Sequence, residues 1–156
     1  MTQESVEQYA AGASALCQAI AGLSREEMLA YPVTDTWSIQ QIVLHLMDSD
    51  LISSDRMKRV IAEENPTLIG FDETAFARGL FYEALDAGLA AELFAKNRQL
   101  TAEVLRRVPE DAFDRFGTHN ERGRVTLAQL VQGMVDHLEH HLRFLREKRR
   151  LLGKPL

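Results

Sequence analysis

Three histidines stand where residue type and spacing could do chemistry: His45, and His137 with His141 in a later segment. The later segment places Leu127, Leu130, Met134, His137, His141 and Leu145 at intervals of three and four residues, so both imidazoles fall in a seam that a helix would turn inward. Burying an unpaired polar group costs about 1–3 kcal/mol, so two rings in such a seam need partners. Residues four apart have Cβ atoms about 6 Å apart on one helical face, which lets two imidazole nitrogens reach one ion at about 2.0–2.1 Å. A divalent metal would satisfy both rings, and His45 could supply a third ligand. Three neutral imidazoles leave at least one position open, as in a catalytic site more than a structural one. An HxxxH pair also arises by chance in helices; its inward phase gives this one weight. His140 falls about 100° from His141 and faces outward.

His45 shares a helical stripe with Ser38, Gln41, Asp48, Ser49, Ile52 and Arg56, too polar for a plain core face and suited to lining a ligand cavity. Taken alone, His45 reads first as a hydrogen-bonded core or boundary histidine. Arg56 could hold an anionic substrate group or serve a surface ion pair. Asp48 and Asp136 read as surface charges that could instead orient ligand imidazoles. His119 reads as an exposed loop histidine, the alternative being the mouth of a cavity. Cys17 falls on the apolar face of the first helix and reads as a small core residue, not a nucleophile. No glycine-rich phosphate loop and no nucleophile elbow occurs.

These residues need elements to hold them, and the periodicity throughout is helical. Val6, Tyr9, Ala10, Ala13, Leu16, Cys17 and Ile20 mark the face of a first helix stopped by Gly22. Ser24 with Glu27 forms a capping box that opens a short turn. Ser38 caps the second long helix with Gln41 three residues on and Trp37 stapled to Ile42; the helix passes through His45 and ends near Ala62, before Asn65-Pro66. Asn65 to Glu83 reads as the longest irregular stretch, a connection that crosses the bundle or covers a site. A third helix is expected from Asp86 to Arg107 with Leu89, Leu93, Leu100 and Val104 inward. Phe116 to Arg124 reads as a polar loop. Thr126 and Gln129 then cap a last helix to about Leu152. The fold class is all-α, a four-helix bundle with a long crossover between the second and third helices.

The 156 residues are expected to form one domain, 1–156; 46% are hydrophobic and 26% charged, ordinary for a globular chain. A net charge of −5 argues against nucleic acid as the main partner. The basic run from Arg143 to Arg150 is expected to complement the negative end of the last helix dipole. One cysteine excludes a disulfide framework and a cysteine-rich zinc motif. No apolar run is long enough for a membrane span, and Met1-Thr2-Gln3-Glu4-Ser5 has no basic leader, so a cytoplasmic location is expected.

Trp37 to Asp50, a tryptophan-led helix carrying His45, together with Glu64 to Asp72 and with Gly123-Arg124-Val125-Thr126-Leu127 leading into His137-Leu138-Glu139-His140-His141-Leu142, resembles the DinB/YfiT-like superfamily of metal-dependent enzymes over nearly the whole chain. The resemblance implies down-up-up-down connectivity, a Zn²⁺ or Ni²⁺ ion held by His45, His137 and His141, and frequent homodimers. Relatives include thiol-dependent S-transferases that use bacillithiol or mycothiol, and a mycothiol-dependent isomerase. The expectation is therefore a metal-dependent enzyme acting on a small molecule, by transfer involving a low-molecular-weight thiol or by hydrolysis. The alternatives are a non-catalytic metal- or ligand-binding stress-response protein, and a bundle acting through its surface with hydrogen-bonded core histidines.

Overall fold

The computed structural model describes residues 2–156. The first bundle helix is built in two pieces, α1 (Thr2–Ala11) and α2 (Ala15–Ile20), joined by a 3₁₀ turn over Gly12–Ser14. A short α3 (Arg25–Leu29) leads to α4 (Ile39–Ala62), which carries His45. The connection beyond it holds β1 (Thr67–Leu68), α5 (Glu73–Gly79) and a 3₁₀ turn over Tyr82–Ala84 before α6 (Ala87–Leu105). A hairpin of β2 (Phe116–His119) and β3 (Gly123–Thr126) precedes α7 (Leu127–Leu151). Each expected capping box forms: Ser24 with Glu27, Ser38 with Gln41, and Thr126 with Gln129.

Two apolar clusters fill the two ends of the bundle and reveal its direction. Val6 and Tyr9 from the start of the first helix pack with Met57 and Val60, Ala102 and Leu105, and Leu127 and Val131. Leu16 and Ala19 from its end pack with Ile39 and Val43, Ala87 and Ala91, and Leu142 and Leu145. The ends of α4 and α6 therefore lie beside the start of the first helix and the start of α7, which is down-up-up-down. The parallel α4–α6 pair is what requires the long crossover.

The stretches expected to be irregular are partly ordered into a three-stranded sheet. β1 pairs in parallel with β2 (Leu68 opposite His119), and β2 pairs antiparallel with β3. Short strands rich in glycine and polar residues give little period-two signal, which is why they read as loop. At Gly117 a Cβ would come within 2.9 Å of the Pro66 carbonyl and the Leu68 side chain, so the close approach of β1 to β2 excludes a side chain there.

Two expectations about faces fail. Leu89 (64% exposed), Leu93 and Leu100 (62% exposed) lie outward and Val104 is half-buried; α6 instead buries Ala87, Ala90, Ala91, Phe94, Arg98, Thr101, Ala102 and Leu105. Small residues let α6 approach its neighbours closely around Arg98. Cys17 is exposed, because the tighter 3₁₀ turn advances about 120° per residue and rotates α2 onto Ala13, Leu16 and Ala19. In the C-terminal basic run, Lys148 and Arg149 are buried: Arg149 donates to the carbonyls of Ala19 and Ala21 at 2.8 and 2.9 Å, closing the end of the first helix. No helix among the described residues is long and apolar enough to cross a membrane.

Between the two clusters sits a buried polar junction. Arg98 meets Asp50 at 2.9 Å with both side chains fully enclosed. Its other nitrogens donate to the carbonyls of Tyr9 (3.3 Å) and Met134 (2.9 Å), and its guanidinium lies over the rings of Tyr9 and Phe94. One side chain thus touches all four bundle helices. A Cβ at Gly12 would fall 2.7 Å from the Arg98 Nη1, so glycine there leaves room for the guanidinium. Removing one partner of such a pair strands a buried charge at a cost of about 3–5 kcal/mol, whereas replacing both with apolar residues is often close to neutral. Asp50→Ala should therefore lower urea-unfolding stability by about that amount, while Asp50→Leu with Arg98→Met recovers most of it; a loss under about 1 kcal/mol for Asp50→Ala would contradict the role given to the pair.

Candidate metal centre

α4 and α7 bring the three histidines together from opposite directions of the chain. His45, fully buried, stands two turns into α4, whose Ser38 cap and Trp37 set the entry of the helix. His137 and His141 occupy successive turns of α7, both half-buried. One ligand-type nitrogen from each ring lies within 4.8 Å of the others. Nε2 of His45 and Nε2 of His137 are 3.1 Å apart, and the ring centroids lie 4.6–5.0 Å from one another. The phase assigned to His140 holds: it is exposed and outside the cluster, touching His141 only edge-on.

The electrostatics keep these rings neutral. Burial first, then the neighbouring His137 and His141, push His45 down to about 3. Burial, His141 and Arg98 lower His137 to about 4, and burial with His140 lowers His141 to about 4. Neutral imidazole is the form that ligates a metal. The spacing of the donor atoms fits an ion at this point: ligand nitrogens about 2.0–2.1 Å from a tetrahedral ion are about 3.3 Å apart, close to the separation of the two Nε2 atoms. The donor set of three neutral nitrogens suits a borderline ion such as Zn²⁺ or Ni²⁺.

Trp37, the single tryptophan of the chain, covers the cluster, with ring centroids 4.8 Å from His45 and 6.4 Å from His141 in a stacked arrangement. It does more than staple Ile42. Ser49 approaches His45 Nδ1 at 3.4 Å. Asp48 and Asp136 do not support the imidazoles: Asp48 accepts from the Tyr82 hydroxyl, and Asp136 accepts from Gln132.

On the His137 side a cavity of about 520 Å³ opens between α4, α7 and the small sheet. Of the polar stripe on α4, Ser49 and Arg56 line it together with Ser53; Ser38 and Gln41 are engaged in the cap. His119, expected to be an exposed loop residue, is buried on β2 and lines the cavity. The missed strand pairing explains the error, since Leu68 opposite His119 pins that residue inward. Nδ1 of His119 accepts from the backbone N–H of Glu121 (3.1 Å) and Arg122 (3.3 Å), so the proton of the neutral ring resides on Nε2. Burial, Arg122 and Arg56 hold His119 below the ordinary histidine value. Arg122, Arg124, Glu73 and Glu121 are cavity residues that the sequence pattern did not single out.

A four-helix bundle that crosses over between its middle helices and gathers three histidines beside a cavity defines a recognisable class. The sequence profile of the DinB superfamily matches residues 8–145, and the chain belongs to that superfamily. It is 28% identical over 131 residues to a protein of Oceanobacillus iheyensis provisionally named a metal-dependent hydrolase, spanning 81% of this chain and 73% of the relative. A Bacillus licheniformis protein of the same provisional name is 28% identical over 140 residues, covering 88% and 80%. The structure of YfiT from Bacillus subtilis, which bears that provisional name as well, superposes with a TM-score of 0.90 over 97% of this chain and 87% of YfiT, at 23% identity. The fold of the two proteins is the same.

If the three imidazoles take a divalent ion, zinc added to chelator-stripped protein should change Trp37 fluorescence with an end point of about one ion per chain. His137→Ala or His141→Ala should abolish the end point and His140→Ala should retain it; equal loss from His140→Ala would contradict the geometry.

Proposed function

We propose that this protein is a metal-dependent enzyme in which His45, His137 and His141 hold one divalent ion, Zn²⁺ or Ni²⁺, and the adjoining cavity receives a small-molecule substrate. The observation that carries the reading is the convergence of three neutral imidazoles beside an open cavity that one of them, His137, lines. A divalent ion there supplies Lewis acidity and lowers the pKa of a bound thiol or water, which gives a nucleophile at neutral pH.

The remaining work falls to this chain's own residues. His45, His137 and His141 would hold the ion, and three protein ligands would leave a position for an incoming molecule, in contrast to a closed structural site. Trp37 covers the side of His45 and His141 with an apolar ring, which limits water there. Ser49 and Ser53 on α4 present hydroxyls along the cavity wall, and Met134 gives an apolar and polarisable surface on α7. His119, neutral with its proton on Nε2, can donate a hydrogen bond into the cavity.

Between the two reactions, we favour transfer of a thiol sulfur to an electrophile, on the strength of the family resemblance, over hydrolysis, the activity in the relatives' provisional names. Zinc-loaded protein should accelerate conjugation of bromobimane with cysteine or glutathione, and a chelator or His137→Ala should return the rate to background. A rate indifferent to chelation would contradict metal dependence. Thiol-independent, chelator-sensitive cleavage of nitrophenyl acetate in its place would assign hydrolysis.

A further inference from the structure

The cavity has a second chemical character at its far end. Arg56 lies 11 residues beyond His45 on α4, three helical turns or about 16 Å along the axis and back on the same face. Arg56, Arg122 and Arg124 all line the cavity, and among the described residues none of them makes an ion pair. The Nε of Arg56 is buried without a hydrogen-bond partner, while its Nη2 donates to the Ile69 carbonyl, which anchors the side chain to the crossover. Arg124 lies over the Phe116 ring at 4.3 Å.

We propose that this end of the cavity binds the carboxylate of the small-molecule substrate, held by Arg56 and Arg122 and by the Nε2–H of His119, while the reacting end lies at the histidine cluster. Setting the half-buried guanidinium of Arg56 beside the charges of the exposed Arg122 and Arg124 is unfavourable unless an anion joins them, and guanidinium presents the forked donors that fit a carboxylate. The effect is visible on Arg56, which burial and the charge of Arg122 hold below the ordinary arginine value against the opposing pull of Asp55 and Glu121. Glu73 and Glu121 also line the cavity, so three guanidiniums against two carboxylates leave one net positive charge. That balance suits a monoanion better than a dianionic phosphate. Gly70 completes the wall: a Cβ there would fall 2.9 Å from the Glu121 carboxylate and 3.2 Å from the His119 ring, so glycine keeps this corner open.

Assigning the anion to a substrate rests on the enzymatic reading above, but binding of the anion requires no metal, so the two can fail separately. Full-length, chelator-treated protein is titrated with phenylacetate, phenylacetamide and phenyl phosphate while backbone amide NMR signals are followed. Phenylacetate should shift the amides of Gly70, Glu121 and Arg122 and bind about tenfold or more tightly than the amide, with phenyl phosphate weaker than phenylacetate. Arg56→Gln and Arg122→Gln should each remove most of that preference, and Arg150→Gln, outside the cavity, should leave it. Arg122 is exposed, so its variant tests the claim without risk to folding. Equal binding of acid and amide, binding of neither, a preference surviving both cavity variants, or tighter binding of phenyl phosphate would each overturn the proposal. Metal uptake with no carboxylate preference would leave the metal reading standing and remove this one; the reverse result would do the opposite.

Discussion

The buried contact of Arg98 with Asp50 is the constraint on which the rest of the bundle depends. Asp50 stands on α4 five residues beyond His45, and the Met134 carbonyl that Arg98 also engages stands on α7 three residues before His137. The same guanidinium therefore fixes the axial register of the two helices that bring the histidines together. A charge in low dielectric is tolerated only with near-complete satisfaction, and here each partner is specific: a carboxylate, two carbonyls and two aromatic faces. Apolar packing at either end of the bundle would allow α4 and α7 to slide by a turn. The polar junction penalises that slip.

From this register the division of the interior follows. Below the junction lies the cluster built on Tyr9, Met57 and Leu127; above it lies the one built on Leu16, Val43 and Leu142. The histidines sit against the second of these, under Trp37, and the cavity opens on the other flank of His137, beside the small sheet. The sheet is short but consequential. Pairing of Leu68 with His119 through β1 and β2 turns a polar connection into a wall with a neutral imidazole and two guanidiniums, those of Arg122 and Arg124, along it. The long crossover required by two parallel neighbouring helices is thus also what closes the site.

Much of this was legible in the sequence, for identifiable reasons. The capping boxes at Ser38 and Thr126 use local hydrogen bonds that any context preserves, so α4 and α7 start where expected, and their starts set the helical phase of His45, His137 and His141. His140 was separable from His141 by the same phase. The errors arise where tertiary packing overrides hydrophobicity. On α6 the leucines Leu89, Leu93 and Leu100 suggested the buried face, yet the bundle uses alanines there because Arg98 and its partners need close backbone approach. Cys17 was misplaced by a 3₁₀ turn that periodicity cannot register, and His119 by strands of two to four residues whose pairing lies in distant sequence. An arginine amid Phe94, Thr101 and Ala102 was the available sign of the junction; a charge on a face of small residues marks a buried partner elsewhere.

The central claim is that this fold holds its three histidines as ligands of one divalent ion with a position left open to the cavity. X-ray absorption on zinc-loaded protein tests it most directly. The account predicts imidazole scattering from about three nitrogens at about 2.0–2.1 Å plus a light exchangeable ligand, lost in His45→Ala. A zinc environment of carboxylate or water oxygens without imidazole, or one unchanged by His45→Ala, would contradict it.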